Sequence, residues 1–309
     1  MPKPETQTSL PNTNLKVLAR ARTRFNDIFV IEDGVKREMW FNGSGKFFLQ
    51  SRVDTRKPNA PALIYSKMIL ATLLIHPNPQ RILIVGLGGG ALSNCLAAWY
   101  PSCVIDVAEI DPKVVSLAKK YFHVKVGPNY QIYEEDARLF LQKQIARGET
   151  YDIIFLDAFK SGSIPYHLKT FEFYSELKSA LAKGGVVASN LYGKSNDMKP
   201  HDRQTFLKVF PELFLFEDEK RVATVSIATQ EALGWGREQF QVRAEAFVPP
   251  PGMDVDMMEV VATLRDNAFA DENAKTLRDD FAPGELNTAI EQNNRQSTLT
   301  RQYPIKNVS

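Results

Sequence analysis

The segment from Arg81 to Asp111 is RILIVGLGGGALSNCLAAWYPSCVIDVAEID, and its pattern is the strongest indication of the fold. It begins with a short apolar run, 82–85, whose β-branched residues predict a buried strand. Four glycines follow within five residues, and 91–99 can then continue as a helix. A second apolar run, 104–108, ends at Glu109. This order of strand, glycine turn, helix, strand and acid predicts a nucleotide-binding βαβ unit.

The glycine turn and the acid each have a chemical use in such a unit. Gly86, Gly88, Gly89 and Gly90 lack a Cβ, so the backbone can turn tightly and a ligand can approach it closely. The helix that follows presents unpaired N–H groups and a partial positive charge to that ligand. Glu109 can accept hydrogen bonds from both hydroxyls of a ribose.

Composition and charge exclude several classes of protein. The net charge of +2 is too small to indicate a nucleic acid or an anionic membrane as partner. No apolar run approaches the roughly 20 residues that span a bilayer. The first residues, 1–14, lack the apolar core of a signal peptide. Cys95 and Cys103 are the only cysteines and are predicted to be buried thiols. We therefore expect a cytoplasmic protein with no nucleic-acid or membrane partner.

The pattern along the chain predicts an α/β fold with a doubly wound, mostly parallel, seven-stranded sheet of Rossmann-like type that ends in an antiparallel hairpin. A disordered arm is expected over 1–20, and a unit of short antiparallel β-strands over 21–60. The nucleotide-binding catalytic domain is predicted to span 61–230, with a helical or irregular extension and a disordered tail over 231–309. One helix of the catalytic domain, which starts near Phe171, is predicted to stop at the glycine pair 184–185.

Three acids follow three strands of the predicted sheet. Glu109, Asp136 and Asp157 each come directly after or close to a strand end, where ligands bind in open parallel sheets. Asp136 suits the exocyclic amine of an adenine, and Asp157 reaches toward the far end of the cleft. Each acid taken singly could instead be a helix N-cap. A hydride-transferring dehydrogenase is disfavoured, because the second acid suits an adenine and no separate catalytic domain is visible.

These features together resemble the spermidine synthase (polyamine aminopropyltransferase) family, which is built on the class I S-adenosylmethionine-dependent methyltransferase fold. The resemblance covers about 25–229 and the segment LRDDFAPGEL at 277–286. Its motifs are the glycine turn, Gln50, Tyr65-Ser66-Lys67-Met68, His76-Pro77-Asn78-Pro79, Glu109-Ile110-Asp111, Asp136-Ala137 and Asp157.

The resemblance implies a site for S-adenosylmethionine or its decarboxylated form. Gln50 would touch the tail of the cofactor, and Glu109 would bind the ribose with Ile110 beside it. Asp136 would bind the adenine together with Ala137. The family is commonly dimeric or larger, so a homodimer is expected.

The resemblance also implies a pocket for a small-molecule amine. Tyr65 would line this pocket, and Asp157 would hold or deprotonate the attacking amine as general base. Tyr166 could help to orient the substrate, and His167 is an alternative base. No metal is expected, because the four histidines are scattered along the sequence.

Two acids of the family pattern are absent. Gly89 stands where family synthases carry an aspartate that faces the ammonium of the cofactor's aminopropyl group, and Lys160 stands where they carry a second aspartate three residues after Asp157. An ammonium buried without an anion is costly. The two changes therefore favour S-adenosylmethionine over its decarboxylated form, although Lys160 could equally be a solvated loop residue. Asp279 and Asp280 could return negative charge to the pocket, or lie on the surface.

Three hypotheses follow from these observations. The first is a spermidine-synthase-like transferase that moves an aminopropyl group to an amine. The second is an S-adenosylmethionine-dependent methyltransferase on the same scaffold. The third is a non-catalytic relative that binds a nucleotide.

Overall fold

The computed structural model describes residues 6–7, 15–43, 46–159, 164–191, 198–219, 223–266 and 273–294. Its first part is an antiparallel sheet in the order β1-β5-β4-β3-β2. The strands of this sheet are β1 (Thr6–Gln7), β2 (Lys16–Arg22), β3 (Asp27–Asp33), β4 (Lys36–Gly43) and β5 (Lys46–Asp54). The small antiparallel unit expected from the sequence is therefore present.

The start of this unit differs from the prediction. β2 begins at Lys16, so 16–20 are part of a paired strand and not of a disordered arm. Arg20 pairs with Phe29 across β2 and β3. β2 lies at the edge of the sheet and has no fully buried residue, so its sequence carries little apolar alternation from which a strand could be predicted.

The second sheet has the order β13-β11-β12-β10-β9-β6-β7-β8. Its strands are β6 (Arg81–Val85), β7 (Val104–Ala108), β8 (Tyr130–Tyr133), β9 (Tyr151–Leu156), β10 (Leu181–Asn190), β11 (Glu212–Glu217), β12 (Thr224–Thr229) and β13 (Leu264–Arg265). β6 to β10 are mutually parallel, and β11 and β12 form the predicted antiparallel hairpin. The prediction of seven strands lacked only the two-residue β13.

Helices cover both faces of this sheet. They are α1 (Ile64–Met68), α2 (Thr72–Ile75), α3 (Ala91–Trp99), α4 (Pro112–Tyr121), α5 (Ala137–Ala146), α6 (Phe171–Ser179), α7 (Lys199–Val209), α8 (Arg237–Glu245), α9 (Met257–Ala262) and α10 (Leu286–Asn294). Short 3₁₀ helices lie at Ile69–Ala71, Tyr166–Leu168 and Pro283–Glu285.

Alternation along β6 shows why the fold is doubly wound. Ile82 and Ile84 pack into one hydrophobic core, whereas Leu83 and Val85 pack into a second core on the other face. All four side chains are buried, because successive residues of a strand point to opposite faces of the sheet. Cys95 and Cys103 are free and buried, as predicted.

The glycine pair after α6 does not end that helix. α6 ends at Ser179, and Gly185 lies within β10 at an irregularity between Leu181 and Val186. A Cβ at Gly185 would come within 3.0 Å of the Tyr151 carbonyl oxygen on the neighbouring strand. The glycine therefore permits a close approach between two backbones and does not cap a helix.

Much of the C-terminal extension belongs to the main core. Phe240 of α8 and Val260 and Val261 of α9 pack into the first core, and β13 pairs with β11. Residues from 295 onward, where a disordered tail was expected, lie outside the described residues. Within the described part of the chain, no helix has both the length and the apolar character needed to cross a membrane.

Candidate active site

A cleft opens at the carboxyl ends of the parallel strands. It lies where the strand order reverses around β6, between β7 and β9, which is the usual ligand site of such sheets. The expected site residues that line it are Gln50, Tyr65, Gly86, Gly88, Glu109, Ile110, Asp136, Ala137 and Asp157. The tertiary structure thus brings together residues that are far apart in the sequence, such as Gln50 and Asp157.

Two glycines of the turn are required by their surroundings. Gly86 has a φ of +95°, and a Cβ there would lie 2.6 Å from the carbonyl oxygen of Asp157. Gly90 has a φ of +72° and precedes α3, and a Cβ there would overlap the side chain of Val124. Positive φ and close packing both favour glycine at these positions. Gly90 does not line the cleft, so its contribution is to shape the turn.

Glu109 is held by backbone amides at the end of β7. Its Oε2 accepts from the Leu87 amide and its Oε1 accepts from the Asp111 amide, both at 2.9 Å. Burial raises the pKa of Glu109 to about 7, against the lowering effect of these amides. Each carboxylate oxygen has a further lone pair, so Glu109 can also accept from two ligand hydroxyls.

Asp111 joins the N-terminal sheet to the βαβ unit at β6, α3 and β7. Its Oδ1 accepts from the Lys113 amide and caps α4, which begins at Pro112. Its Oδ2 accepts from the Thr23 hydroxyl at 2.7 Å and from the Asn26 amide nitrogen at 3.2 Å. These bonds fix Asn26, which lines the cleft.

Asp136 is both a helix cap and a cleft residue. Its Oδ1 accepts from the Arg138 amide at the start of α5, and its Oδ2 lies 2.9 Å from Nε2 of His167. The helix-cap interpretation is therefore correct for this acid, yet its side chain still faces the cleft. One carboxylate can do both because its two oxygens have about four acceptor positions.

Tyr166 was expected to orient the substrate and His167 to be an alternative base, but neither residue lines the cleft. The His167 side chain is fully buried behind Asp136, so it is not placed to contact an acceptor or to act as a base. The Tyr166 hydroxyl donates to the carbonyl of Arg278 at 3.0 Å. The 3₁₀ turn that carries both residues presents Leu168 to the cleft instead. Lys160 lies outside the described residues.

Asp157 comes directly after β9, whereas Glu109 comes directly after β7. These two strands lie on opposite sides of β6 in the sheet. The Tyr65 hydroxyl donates to its Oδ2 at 3.2 Å, and the Asn190 amide nitrogen donates to its Oδ1 at 2.9 Å. Burial raises the pKa of Asp157 to about 7, while both hydrogen bonds oppose that rise. A carboxylate with a pKa near neutrality suits a general base that works at neutral pH.

Several residues of the cleft lining were not predicted from the sequence. Asn190 follows the apolar run of β10, and a polar residue at the end of a central parallel strand could have indicated it. Ser51 and Phe159 adjoin residues that were identified. Asn294 comes from α10 near the end of the chain, and nothing local in its sequence indicates that it lies here.

No cluster of three or more His, Cys, Asp or Glu side chains arranged to hold a metal ion occurs in the described part of the chain.

Comparison with known proteins establishes the family. A family model for the spermine/spermidine synthase domain matches residues 62–241, which is more than half of the chain. The chain belongs to the spermine/spermidine synthase family. It is 37% identical over 229 residues to a polyamine aminopropyltransferase of Vibrio vulnificus, covering 72% of this chain and 74% of that protein.

Solved structures show the fold of this spermine/spermidine synthase family member. A probable spermidine synthase from Corynebacterium glutamicum aligns with a TM-score of 0.66 and 17% identity, covering 87% of this chain and 98% of that one. Human methyltransferase-like protein 13, in complex with SAH, aligns with a TM-score of 0.56 and 20% identity, covering 69% and 99%. The predicted methyltransferase-type fold is therefore confirmed.

In this family member, neighbouring side chains fill the space into which the missing aspartate of the glycine turn would project. Gly89 does not line the cleft, and a Cβ there would lie 2.7 Å from the Ser51 hydroxyl oxygen and 2.8 Å from the Phe122 ring. Both distances are too short for real contacts. An acid cannot be placed at Gly89 unless Ser51 and Phe122 move.

The idea that Asp279 or Asp280 returns negative charge to the pocket is wrong. Asp279 accepts two hydrogen bonds from the Arg138 guanidinium, at 2.9 and 2.8 Å, and a third from the Thr170 hydroxyl. Asp280 is exposed, and neither residue lines the cleft. The segment instead holds the start of α6, where the Phe171 amide donates to the carbonyl of Leu277.

Proposed function

We propose that this protein is an aminopropyltransferase of polyamine biosynthesis, which transfers the aminopropyl group of decarboxylated S-adenosylmethionine to a small amine. Relatives named polyamine aminopropyltransferase support the reaction. The observation that carries the proposal is Asp157, a carboxylate with a pKa of about 7 that faces the nucleotide cleft and is oriented by two donors.

The residues around the cleft suit a nucleoside. We assign Glu109 to the ribose hydroxyls and Asp136 to the adenine amine, because each carboxylate has free acceptor positions toward the cleft. The backbone at Gly86 and Gly88 allows the ligand to approach the start of α3. Gln50 enters from β5 and is assigned to the tail of the cofactor.

The reaction needs alignment and one proton transfer. A bound sulfonium nucleotide supplies an activated carbon, and the C–S electron pair leaves with a neutral thioether. The amine of the acceptor forms the new C–N bond, and its proton goes to Asp157. Tyr65 and Asn190 fix the direction in which Asp157 accepts that proton. The apolar walls at Phe159 and Leu168 exclude water from the attacking amine.

Methyl transfer from S-adenosylmethionine is the second candidate. Gly89 has no acid, and Glu109, Asp136 and Asp157 are the only carboxylate side chains that the described residues contribute to the cleft lining. The position that would attract the ammonium of a decarboxylated tail is filled by Ser51 and Phe122. A cofactor that keeps its own carboxylate meets no repulsion there.

Product analysis separates the candidates. The protein is incubated with each cofactor and a panel of diamines, and the thioether product is identified by mass spectrometry. Release of 5′-methylthioadenosine with an aminopropylated amine supports our proposal, whereas S-adenosylhomocysteine with a methylated product supports the second candidate. Binding without turnover of either cofactor would indicate a non-catalytic relative. Asp157→Asn should abolish turnover, and the exposed-site control Asp54→Asn should not.

The proposal includes a homodimer in the cytoplasm. Among the described strands β2 lies at the edge of its sheet, and its Val17 is 53% exposed, so this edge can pair with a second copy. Two free cysteines are typical of a reducing compartment. Light scattering on the purified protein measures the oligomeric state, and a monomer at micromolar concentration would contradict the dimer.

A further inference from the structure

A buried histidine lies directly behind the acid that we assign to adenine. The His167 side chain has no exposed surface, and its Nε2 is 2.9 Å from Oδ2 of Asp136. His167 does not reach the cleft itself, whereas Asp136 does. The histidine can therefore affect a ligand only through the carboxylate.

The surroundings fix the proton on the side that faces Asp136. A carboxylate only accepts hydrogen bonds, so Nε2 carries the hydrogen in this contact. The other ring nitrogen, Nδ1, is buried and has no hydrogen-bond partner among the described residues. A hydrogen on Nδ1 would be a buried donor without an acceptor, which favours the tautomer with the hydrogen on Nε2.

His167 is also fixed from its backbone side. Nη1 of Arg138 donates to the His167 carbonyl at 3.3 Å, and the same guanidinium is held by Glu176 and Asp279. Arg138 contributes its amide to Oδ1 of Asp136 as well. The imidazole, the guanidinium and the carboxylate thus form one connected group with little freedom to rotate.

We propose that His167 is a positioning residue for recognition of the base. Its Nε2–H occupies one acceptor position of Oδ2 and the Arg138 amide at the start of α5 occupies one of Oδ1, so the Asp136 side chain is held with a remaining lone pair toward the cleft. That lone pair accepts a hydrogen from an exocyclic amine and repels a carbonyl oxygen at the same place. His167 therefore sets the preference for adenine over hypoxanthine. This inference rests on the proposed function only in placing a nucleoside in the cleft.

Two product-like probes test this inference without turnover. 5′-Methylthioadenosine and 5′-methylthioinosine differ in the group that faces Asp136, and neither has a charged tail. The wild-type protein should bind the adenosine compound at least roughly tenfold more tightly in calorimetry, as expected for a hydrogen bond to a charged group. His167→Leu should lose most of this preference, because Asp136 loses the donor that orients it. His167→Gln keeps an N–H donor and should keep most of the preference.

A matched control separates this effect from general damage. His201→Leu removes a histidine whose Nδ1 accepts from the Lys275 amide, away from the cleft, and it should leave the preference unchanged. A folded His167→Leu variant that keeps the wild-type preference would overturn the inference. If the wild-type protein bound neither nucleoside, the proposed function would fail instead.

A second measurement needs no variant at position 167. In protein labelled with ¹⁵N-histidine, the Nε2 resonance of His167 should shift on binding of 5′-methylthioadenosine and shift differently with the inosine compound. Equal shifts with both compounds would contradict a role in base recognition, even if His167→Leu failed to fold.

Discussion

Gly86 lies against the backbone of Asp157, so closely that a Cβ at Gly86 would be 2.6 Å from the Asp157 carbonyl oxygen. The glycine turn and the proposed base thus share a contact that any other residue would disturb. Gly86→Ala should lower the free energy of unfolding by about 3 kcal/mol, because it adds a clash to the cost of positive φ. Urea denaturation measures this change.

Gly34 provides the matched control for Gly86. It also has a positive φ, of +58°, but a Cβ there would meet no atom within 4 Å. Gly34→Ala should cost only about 1 kcal/mol, from the backbone conformation alone. Equal losses of stability in the two variants would show that the contact with Asp157 is unimportant.

The raised pKa of Asp157 predicts how the reaction rate depends on pH. Asp157 must be deprotonated to accept a proton, so kcat/KM should rise with pH through about 7 and then level off from this group. Steady-state rates, measured from about pH 5.5 to about pH 9 in steps of roughly half a pH unit, resolve this rise in kcat/KM. A flat profile across neutrality would contradict the role of Asp157 as base.

The same pKa predicts the opposite trend for stability. The pKa of Asp157 is about 7 in the folded protein and near the ordinary value of 3.8 when unfolded, so the folded state binds its proton more tightly. This contribution is fully present below the unfolded pKa and is lost as pH rises through about 7. Between pH 3.8 and about 7, the free energy of unfolding should therefore fall less in Asp157→Asn than in the wild type. Thermal unfolding across this range, compared with the wild type, provides the measurement.

Tyr65 should tune the pKa of Asp157. Its hydroxyl donates to Oδ2 and lowers that pKa, so Tyr65→Phe should move the rising limb of the rate profile to higher pH. Activity below pH 7 should fall severalfold more than activity at higher pH. Tyr100→Phe is the control, because the buried Tyr100 hydroxyl has no hydrogen-bond partner among the described residues and lies outside the cleft. A limb that stays in place in Tyr65→Phe would remove Tyr65 from this role.

Arg138 should stabilise the C-terminal segment. Its side chain is 4% exposed and is bonded to both Glu176 and Asp279. Arg138→Met leaves two partly buried carboxylates without their cation, so the free energy of unfolding should fall by about 3 kcal/mol. The control Arg56→Met breaks an exposed ion pair with Asp54 and should have little effect. Similar stabilities of the two variants would show that the Arg138 network is dispensable.

The sequence was sufficient to predict which glycine and which acids line the cleft. Gly86, Glu109, Asp136 and Asp157 were predicted because local signals place strands before them, and parallel strands end at one edge of a sheet. The extent of the N-terminal sheet was not predictable in the same way. β2 acquires its strand conformation by pairing with β3, and its own residues lack a buried alternating pattern.

The order of the elements and the acids at the strand ends could be read from the amino-acid sequence alone, because hydrophobic periodicity and glycine turns are local signals that extend over a few residues. The surroundings of those acids, in contrast, depend on the packing of the folded chain. Asn190 meets Asp157, His167 meets Asp136, and Asn294 reaches the cleft from α10. The first two contacts join residues about 30 positions apart in the sequence, and the third comes from near the end of the chain. Such contacts depend on how whole elements pack, so local sequence patterns do not indicate them.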